Sequence, residues 1–443
     1  MKNPLPTAAW LILLLALLLR VGYMVATPDY GLVHDALDYD RAAVSIASGD
    51  GWPYSRAPGR QTAFRPPAYP VLLAGVYKVT GVEHGTQHER VVPARILGII
   101  MGTLIVAMIF VVARQLWGRR VALLAMFGGA IYIPLILVGA SVMSEPLFAL
   151  LLLGALAAAI QHRRSTHRWR WVVVSGVLAG LTCLTRANAL VLLLPLGLAV
   201  WTVRPRWSVR ALAAPALLVI LALVTVSPWT IRNAIVFDRF IPVSTQLGSA
   251  LAGTYNDQAR LDKKNPASWR AIFHIPEYQD IYAHIKTTPE PEIEDILRAR
   301  SKAYIREHPT YVAKVAEWTT LRMFELGGLD WSRHTASTIS VTAGWANAGV
   351  ICFWVFALLA LAGAFTKLAR RTPLFVWMVP VLLYLSVVFL VVETPRYRTG
   401  IDPFIVMLAA LALRRALPGA GDREPPPPDR ARYPTSPKAP TPA

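Results

Sequence analysis

Long apolar segments recur along almost the whole of this 443-residue chain. A helix needs roughly 20 apolar residues to cross a bilayer, and about ten segments approach that length. The chain is 55% hydrophobic and only 16% charged, which is typical of membrane proteins. The sequence therefore predicts an all-α polytopic membrane protein. The predicted spans are Ala8–Ala26, Ala94–Trp117, Val121–Val142, Pro146–Gln161, Trp171–Thr185, Ala189–Val203, Ala211–Pro228, Trp345–Phe365, Leu374–Val392 and Tyr397–Ala416.

Basic residues are concentrated in one set of the short connections between these spans. They are Arg114, Arg119, Arg120, Arg163, Arg164, Arg168, Arg170, Arg204, Arg206, Arg210, Lys367, Arg370, Arg371, Arg414 and Arg415. Short loops rich in Lys and Arg face the cytoplasm. These loops also explain most of the formal net charge of +19, so we expect no nucleic-acid partner. Cys183 and Cys352 both lie in apolar segments, which argues against a disulfide framework or a Cys-based metal site.

The same charge pattern predicts the orientation of the chain. Basic loops flank residues 171–203, so an even number of crossings must lie between them, with a hairpin turn at Arg186-Ala187-Asn188. Both chain ends then lie in the cytoplasm. The high Arg and Ala content indicates a bacterial source, and hence a multi-pass protein of the plasma membrane. The predicted parts are the membrane domain 1–417, its two outward-facing helical loops 27–93 and 230–344, and a disordered Pro-rich cytoplasmic tail 418–443.

The second outer loop contains a pattern typical of a helix in two pieces. Residues Glu292–Phe324 are predicted to be helical, with a break at His308-Pro309. Apolar residues recur at near-helical spacing in the second piece, from Tyr311 to Met323. We interpret this piece as an amphipathic helix that lies on the membrane surface.

Carboxylates gather at the start of the first outer loop. Asp35, Asp38, Tyr39 and Asp40 fall within six residues. Asp35 and Asp38 are three residues apart at the expected start of a helix, so they share a face with Tyr39. Asp35 is a candidate general base, and Asp38 or Asp40 a candidate second acid or metal ligand. The alternative is that these residues only cap the helix N-terminus.

Glu145 opens the fourth predicted span at the outer face. It is a further candidate for a secondary acid or a metal ligand. The alternative is again N-terminal capping, with Ser144 as the N-cap and Pro146 in the first turn.

Several arginines break the charge rule because they lie at the outer ends of spans. They are Arg186, Arg232, Arg396 and Arg398, and Arg65 lies in the first outer loop. A guanidinium group binds phosphate in a planar, bidentate way and stays charged. We therefore predict that these arginines bind the phosphate of an anionic lipid substrate or contact its acceptor. The alternative for each is a simple ion pair with a nearby carboxylate.

No Asp, Glu, Lys or Arg lies near the middle of any predicted span. Ion-coupled transporters keep ionisable groups near the bilayer midplane, where each costs roughly 2.5–3.5 kcal/mol on insertion scales. The pattern therefore favours chemistry at the outer interface over coupled transport. Pro134, Pro195 and Pro215 interrupt spans, so a lipid flippase or transporter stays open as an alternative.

Several segments together resemble the GT-C glycosyltransferases of family 39, the group of the protein O-mannosyltransferases and the aminoarabinose transferase of lipid A. The Asp-x-x-x-Tyr signature is Asp35 to Tyr39. The other matching segments are SIASGDGWPY, FRPPAYPVLLA, SEPLFALLLLGAL, GVLAGLTCLTRANALVLLLP, SPWTIRNAIVFDRFIPVST and ETPRYRTGIDPF. The resemblance implies a GT-C-type helix bundle and a polyprenyl-phosphate-linked sugar as donor.

The resemblance also implies roles for particular residues. It implies that Asp35 acts on the acceptor as the base. The positions of Arg65, Arg186, Arg232, Arg396 and Arg398 fit contacts to the donor phosphate or the acceptor. Tyr39 of the signature is a further candidate for such a contact. Many relatives have Asp-Glu where this chain has Asp35-Ala36, so no cofactor is certain and a divalent metal is left open.

The sequence thus predicts a membrane glycosyltransferase whose site faces outward. Its partners would be a polyprenyl-phosphate sugar, membrane lipid and a glycan, glycolipid or protein acceptor. Besides the flippase, the competing interpretation is a non-catalytic envelope-assembly protein, for which the carboxylates and arginines need not meet.

Overall fold

A computed structural model describes residues 6–52, 61–203, 205, 208–390 and 395–416. Most of the described residues lie in α-helices. They are α1 (Thr7–Val25), α2 (Asp35–Ser48), α3 (Ala68–Thr80), α4 (Gln87–Trp117), α5 (Arg119–Ile131), α6 (Ile133–Gly139), α7 (Glu145–His162), α8 (Arg168–Thr185), α9 (Leu193–Val200), α10 (Val209–Phe237), α11 (Leu247–Thr254), α12 (Asp257–Leu261), α13 (Gln279–Ala283), α14 (Glu290–Glu307), α15 (Pro309–Met323), α16 (Leu329–Ser337), α17 (Ala343–Ala364), α18 (Lys367–Arg371), α19 (Leu374–Leu385) and α20 (Asp402–Ala416).

Short 3₁₀ helices complete this set at Ala187–Leu192, Ile272–His274, Pro276–Tyr278 and Pro395–Gly400. The predicted tail 418–443 lies outside the described residues, as do the last two residues of the predicted span Leu374–Val392.

Among the described residues, five helices are long and apolar enough to cross a membrane, namely α1, α4, α7, α10 and α17. The pair α5 and α6 makes a sixth if it is one broken span. Ala187–Val200 and Leu374–Leu385 are apolar but shorter. The larger number of spans expected from the apolar runs stays a prediction.

The predicted span Val121–Val142 is not one straight helix. The chain bends by 60° between α5 and α6, and Tyr132 at the bend has extended backbone angles. Pro134 explains the bend, because its ring would clash with the carbonyl of Ala130 in a continuous helix. Pro134 instead lies in the first turn of α6, where its missing N–H costs no helical hydrogen bond.

The helices α8 and α9 form the predicted hairpin. The ring of His162, at the end of α7, lies 3.0 Å from the carbonyl oxygen of Arg168 and 3.4 Å from Thr202 Oγ1. Arg163 donates to the carbonyl of Ala199 at 3.0 Å. The start of α8 and the end of α9 therefore lie together, beside the end of α7. We call this the basic end of the bundle, and the opposite end, from which the two long loops leave, the loop end.

In the second loop, α14 ends at Glu307 and α15 begins at Pro309, so the predicted break at His308-Pro309 is confirmed. Part of the apolar side of α15 packs against protein. Tyr311 and Val315 are buried in a cluster with Leu251 of α11 and with Tyr255, which follows α11. That α15 lies on a membrane surface stays a prediction.

Candidate functional site

Asp35 is the first residue of α2 at the loop end, and its carboxylate is shared by two arginines. The side chain of the N-cap, His34, makes no capping hydrogen bond, and Asp35 does not cap the helix either. Instead, Arg65 donates to Asp35 Oδ1 at 2.5 Å and Arg396 donates to Asp35 Oδ2 at 2.6 Å. Residues 361 positions apart in the sequence therefore meet at one carboxylate.

Arg65 also joins Asp35 to Asp38. Its Nη2 atom donates to Asp38 Oδ2 at 2.8 Å and its Nε atom to the same oxygen at 3.3 Å. This geometry follows from the three-residue spacing of the two aspartates on one helix face. The guanidinium lies 5.5 Å from the ring centroid of Tyr39, which places Tyr39 beside the same pair.

Glu145, the first residue of α7, contacts Arg396 and a further arginine, Arg186. Its Oε1 atom lies 2.8 Å from Arg186 Nη1 and 3.7 Å from Arg396 Nε. Ser144 is the N-cap of α7 and Pro146 lies in its first turn, as the capping alternative expected, but no side-chain capping hydrogen bond forms there. Tyr39 donates to Ser144 Oγ at 3.0 Å, and Ser144 Oγ in turn donates to Glu145 Oε2 at 3.4 Å.

These contacts form one group that we call the acid–arginine cluster. Its members are Asp35, Asp38, Glu145, Arg65, Arg186 and Arg396. Three carboxylates face three guanidinium groups, so the cluster is close to neutral. Tyr397 packs within it, because the guanidinium groups of Arg186 and Arg396 lie 4.8 and 5.4 Å from its ring centroid.

The cluster changes the proton affinity of Asp35. Burial raises the pKa of this carboxyl, but the guanidinium groups of Arg65 and Arg396 outweigh burial and hold its pKa well below the usual range. Asp35 is therefore a carboxylate at neutral pH, and a weak proton acceptor while both arginines hold it. Its side chain keeps 22% of its surface exposed, so it stays open to a substrate.

Asp40 lies outside the cluster. Arg90 donates to both of its carboxylate oxygens at 2.8 Å, and Tyr77 donates to Oδ1 at 2.8 Å. A separation of five residues turns the side chain by about 140° around a helix, away from Asp35. The prediction that Asp40 is a second acid of the site is therefore wrong. Asp40 instead connects α2 to α3 through Tyr77 and to α4 through Arg90.

Arg232 also lies apart from the cluster. It donates to the carbonyl of Thr62 at 2.9 Å and to Gln61 Oε1 at 2.8 Å. Its guanidinium stacks 4.8 Å from the ring centroid of Trp229. All these partners are protein groups, so Arg232 joins α10 to the first loop.

Arg398 forms a second, buried ion-pair group next to the cluster. It donates to Asp402 Oδ1 at 2.7 Å and lies 3.7 Å from Glu325 Oε1. It also donates to the carbonyl of Met323. Sequence reasoning missed Asp402 and Glu325. The four-residue spacing of Arg398 and Asp402 is a signal that could have found the first, whereas nothing local points to Glu325.

A cavity of about 550 Å³, including its open part, lies between α6, α16, α17 and the segment Pro395–Gly400. Arg396, Arg398, Asp402 and Glu325 line its polar side. Most of its remaining wall is apolar, lined by Leu137, Val138, Ile339, Val341, Ala346 and Val350. Arg396 belongs both to the cavity and to the cluster, so the charged and apolar regions are continuous.

The carboxylates do not fit a divalent metal site. In the part of the chain that the structure describes, no three His, Cys, Asp or Glu residues gather closely enough to hold a metal ion. Asp35, Asp38 and Glu145 each contact a guanidinium group instead. The charges of these carboxylates are thus balanced by arginine.

The chain matches a family model in its first half. The model describes dolichyl-phosphate-mannose-protein mannosyltransferases and matches residues 64–231, which is less than half of the chain. No curated protein sequence matches this chain.

Solved structures resemble the chain over nearly its whole length. The archaeal oligosaccharyltransferase AglB from Archaeoglobus fulgidus, in complex with an inhibitory peptide and a dolichol-phosphate, is 14% identical with a TM-score of 0.52, over 92% of this chain and 50% of AglB. Its apo form gives the same values. ArnT from Cupriavidus metallidurans, bound to undecaprenyl phosphate, is 17% identical with a TM-score of 0.41, over 91% of this chain and 77% of ArnT.

This chain spans about half the length of the AglB structures that it matches. The likeness to AglB shows a shared fold. The elements of the described residues are all helices, so the predicted all-helical architecture is confirmed.

Proposed function

We propose that this chain, which has the GT-C fold shown by its likeness to AglB, is a membrane glycosyltransferase. It would move a sugar from a polyprenyl-phosphate donor to an acceptor at the loop end. The observation that carries the proposal is the acid–arginine cluster beside a cavity that is charged on one side and apolar on the other. A lipid phosphate has the same division into a charged head and an apolar chain.

The donor phosphate would bind where Arg396 faces the cavity. Transfer breaks the bond between the sugar C1 atom and the phosphate oxygen, and the electron pair leaves with the lipid phosphate. The sugar passes through an oxocarbenium-like transition state, as in glycoside hydrolysis. Guanidinium groups that face the phosphate stabilise the charge that builds on it.

Asp35 would accept the proton of the acceptor hydroxyl or amine as that group forms its bond to C1. In the donor-free protein Arg65 and Arg396 weaken it as a base. A bound phosphate competes for the same guanidinium N–H groups. Donor binding would therefore release an oxygen of Asp35, and its pKa would rise towards the ordinary carboxyl value. The base becomes effective only when the donor is in place.

The contacts between carboxylates and arginines also help to distinguish the proposed glycosyltransferase from the two competing interpretations. A non-catalytic assembly protein gives no reason for Asp35 and Arg396, far apart in sequence, to meet beside a cavity. The 60° bend at Tyr132 favours the lipid transporter as the second candidate, because broken helices line the sites of transporters. Transport would move a lipid phosphate across a vesicle membrane without loss of its sugar.

The proposal also includes the orientation of the protein in the membrane. The basic end would face the cytoplasm of a bacterium, and the loop end, with the site, would face outward across the plasma membrane. Both chain ends would then be cytoplasmic.

The experiment is to incubate the purified full-length protein in vesicles with a panel of polyprenyl-phosphate sugars and follow the release of the sugar. We expect one donor class to lose its sugar in the presence of acceptor. The matched control is Asp257→Asn, which removes a loop carboxylate that pairs with Arg260 at 2.7 Å, away from the cluster. Transport without sugar loss for every donor would contradict the proposal.

A further inference from the structure

A buried glutamate of the second loop holds the segment that precedes Arg65. Glu290, the first residue of α14, is 8% exposed. Its Oε1 atom accepts from the backbone N–H of Ala63 at 2.9 Å and from Thr245 Oγ1 at 2.5 Å. Its Oε2 atom accepts from Thr62 Oγ1 at 2.6 Å. Three neutral donors thus converge on one carboxylate and link the two loops.

The same segment is held from its other side by Arg232. Thr62 donates its hydroxyl to Glu290, while its carbonyl accepts from Arg232. The Thr62 hydroxyl also accepts from the backbone N–H of Phe64 at 2.9 Å. The backbone from Thr62 to Phe64 is therefore fixed by side chains of α10 and α14.

Arg65 is held between this attachment and two prolines. Phe64 lies before it, and Pro66 and Pro67 follow before α3 begins. A proline has a fixed φ angle and also restricts the residue that precedes it. Few backbone rotations remain between the Glu290 contacts and the guanidinium that bridges Asp35 and Asp38.

We propose that Glu290 and Thr62 are positioning residues that set the place of Arg65, so that the second loop controls the binding of the donor phosphate. We call these two residues and their hydrogen bonds the loop clasp. This inference rests on the proposed function. A displacement of about 1 Å at a positioned group can cost as much as roughly 10²-fold in rate, so a modest loosening of the clasp would be measurable at the site.

The first test needs no ligand. In amide hydrogen exchange of the full-length protein, Glu290→Ala should speed exchange in residues 61–65, because the Ala63 N–H loses its acceptor. Thr62→Val, a milder variant, should act in the same way through the lost acceptor of Phe64. Unchanged exchange in both variants would overturn the clasp.

The matched control is Glu294→Ala. Glu294 lies one turn further along α14, is 5% exposed and accepts from the backbone N–H of Gly248 at 2.8 Å. It supports α11 and has no hydrogen bond to residues 61–65. Equal acceleration of residues 61–65 in this control would mean a general loss of structure, and would also overturn the clasp.

The second test is a double-mutant cycle on the affinity for geranylgeranyl phosphate. Glu290→Ala and Thr62→Val should each weaken binding on the order of 10-fold, within the usual range of coupling between neighbouring residues. In an Arg65→Ala background, Glu290→Ala should add no further loss, because its effect passes through Arg65. Additive losses would overturn the positioning role. If the unmutated protein does not bind this prenyl phosphate, the proposed function fails, and the exchange measurement still decides the clasp.

Discussion

Asp35 and Asp40 lie five residues apart on α2, and each is bound by arginine, but the two sites differ in kind. Asp40 is 2% exposed and receives three hydrogen bonds from Arg90 and Tyr77. The side chain of Asp35 is 22% exposed, and its carboxylate is divided between Arg65 and Arg396 from distant parts of the chain.

This difference separates a structural ion pair from a site that can react. At Asp40 the carboxylate has all its partners within the protein and no route to a substrate. At Asp35 one partner, Arg396, also lines a cavity, so an incoming anion can compete for its guanidinium group. Arginine contact alone therefore does not identify a functional carboxylate. Asp35 differs from Asp40 in that its own side chain is partly exposed and in that two arginines from distant segments share it.

The largest expected effect on stability is at Asp40. Replacement by alanine removes the carboxylate that binds the part-buried Arg90 and the Tyr77 hydroxyl. Breaking a fully buried pair costs about 3–5 kcal/mol, which is the upper bound here. We expect a clear fall in the melting temperature of Asp40→Ala in detergent. Asp35→Ala, measured alongside, should fall much less; equal losses in the two variants would remove the distinction between the sites.

The next largest expected effect is a loss of affinity for lipid phosphate on replacement of Arg396. Arg396→Ala should weaken lipid-phosphate binding by roughly 10- to 100-fold, since a hydrogen bond to a charged group contributes about 1.5–3 kcal/mol. Titration with geranylgeranyl phosphate measures the loss, and the folded fraction by circular dichroism serves as the control. If Arg396→Ala binds geranylgeranyl phosphate as tightly as the unmutated protein does, Arg396 is not part of the donor site.

Under the proposed function, the pH dependence of the reaction should differ between the free protein and its complex with the donor. In the free protein the lowered pKa of Asp35 keeps this carboxyl deprotonated below the ordinary carboxyl value of about 4. In the donor complex the arginines turn to the phosphate and this pKa rises. The fall of kcat on acidification should therefore begin at a higher pH than the fall of kcat/KM. Coincident acid limbs would contradict the transfer of arginine contacts from Asp35 to the donor.

The smallest effect is expected at Asp38. It contacts only Arg65 in the cluster, and its side chain is 31% exposed. Exposed pairs contribute about 0–1 kcal/mol, so Asp38→Asn should change kcat/KM less than about fivefold. A loss as large as that of Asp35→Asn would make the two aspartates a joint catalytic pair.

Much of the site could be predicted from the sequence, because the loop charges indicate which loops and which span ends lie on the same side of the membrane. Asp35 and Arg65 fall in the first outer loop. The outer ends of predicted spans hold Glu145, Arg186 and Arg396, and the structure brings all five residues together. The helix periodicity that placed Asp38 beside Asp35 also turns Asp40 away, so that error came from sequence proximity taken without the helical period.

Other features depend on contacts between distant segments. Arg232 was expected at the phosphate, but its partners Gln61 and Thr62 lie about 170 positions away and become visible only after folding. The proline that bends the chain at Tyr132 was visible in the sequence, but neither the angle nor the contact of Tyr132 with Asp402 was.

The release of sugar by Asp35→Asn, compared with unmutated protein in the same vesicles, tests the central claim most directly. Removal of a general base lowers the rate by about 10²–10⁴-fold, and we predict a loss in that range with the affinity for prenyl phosphate retained. A rate close to that of the unmutated protein would contradict the assignment of Asp35 as the proton acceptor.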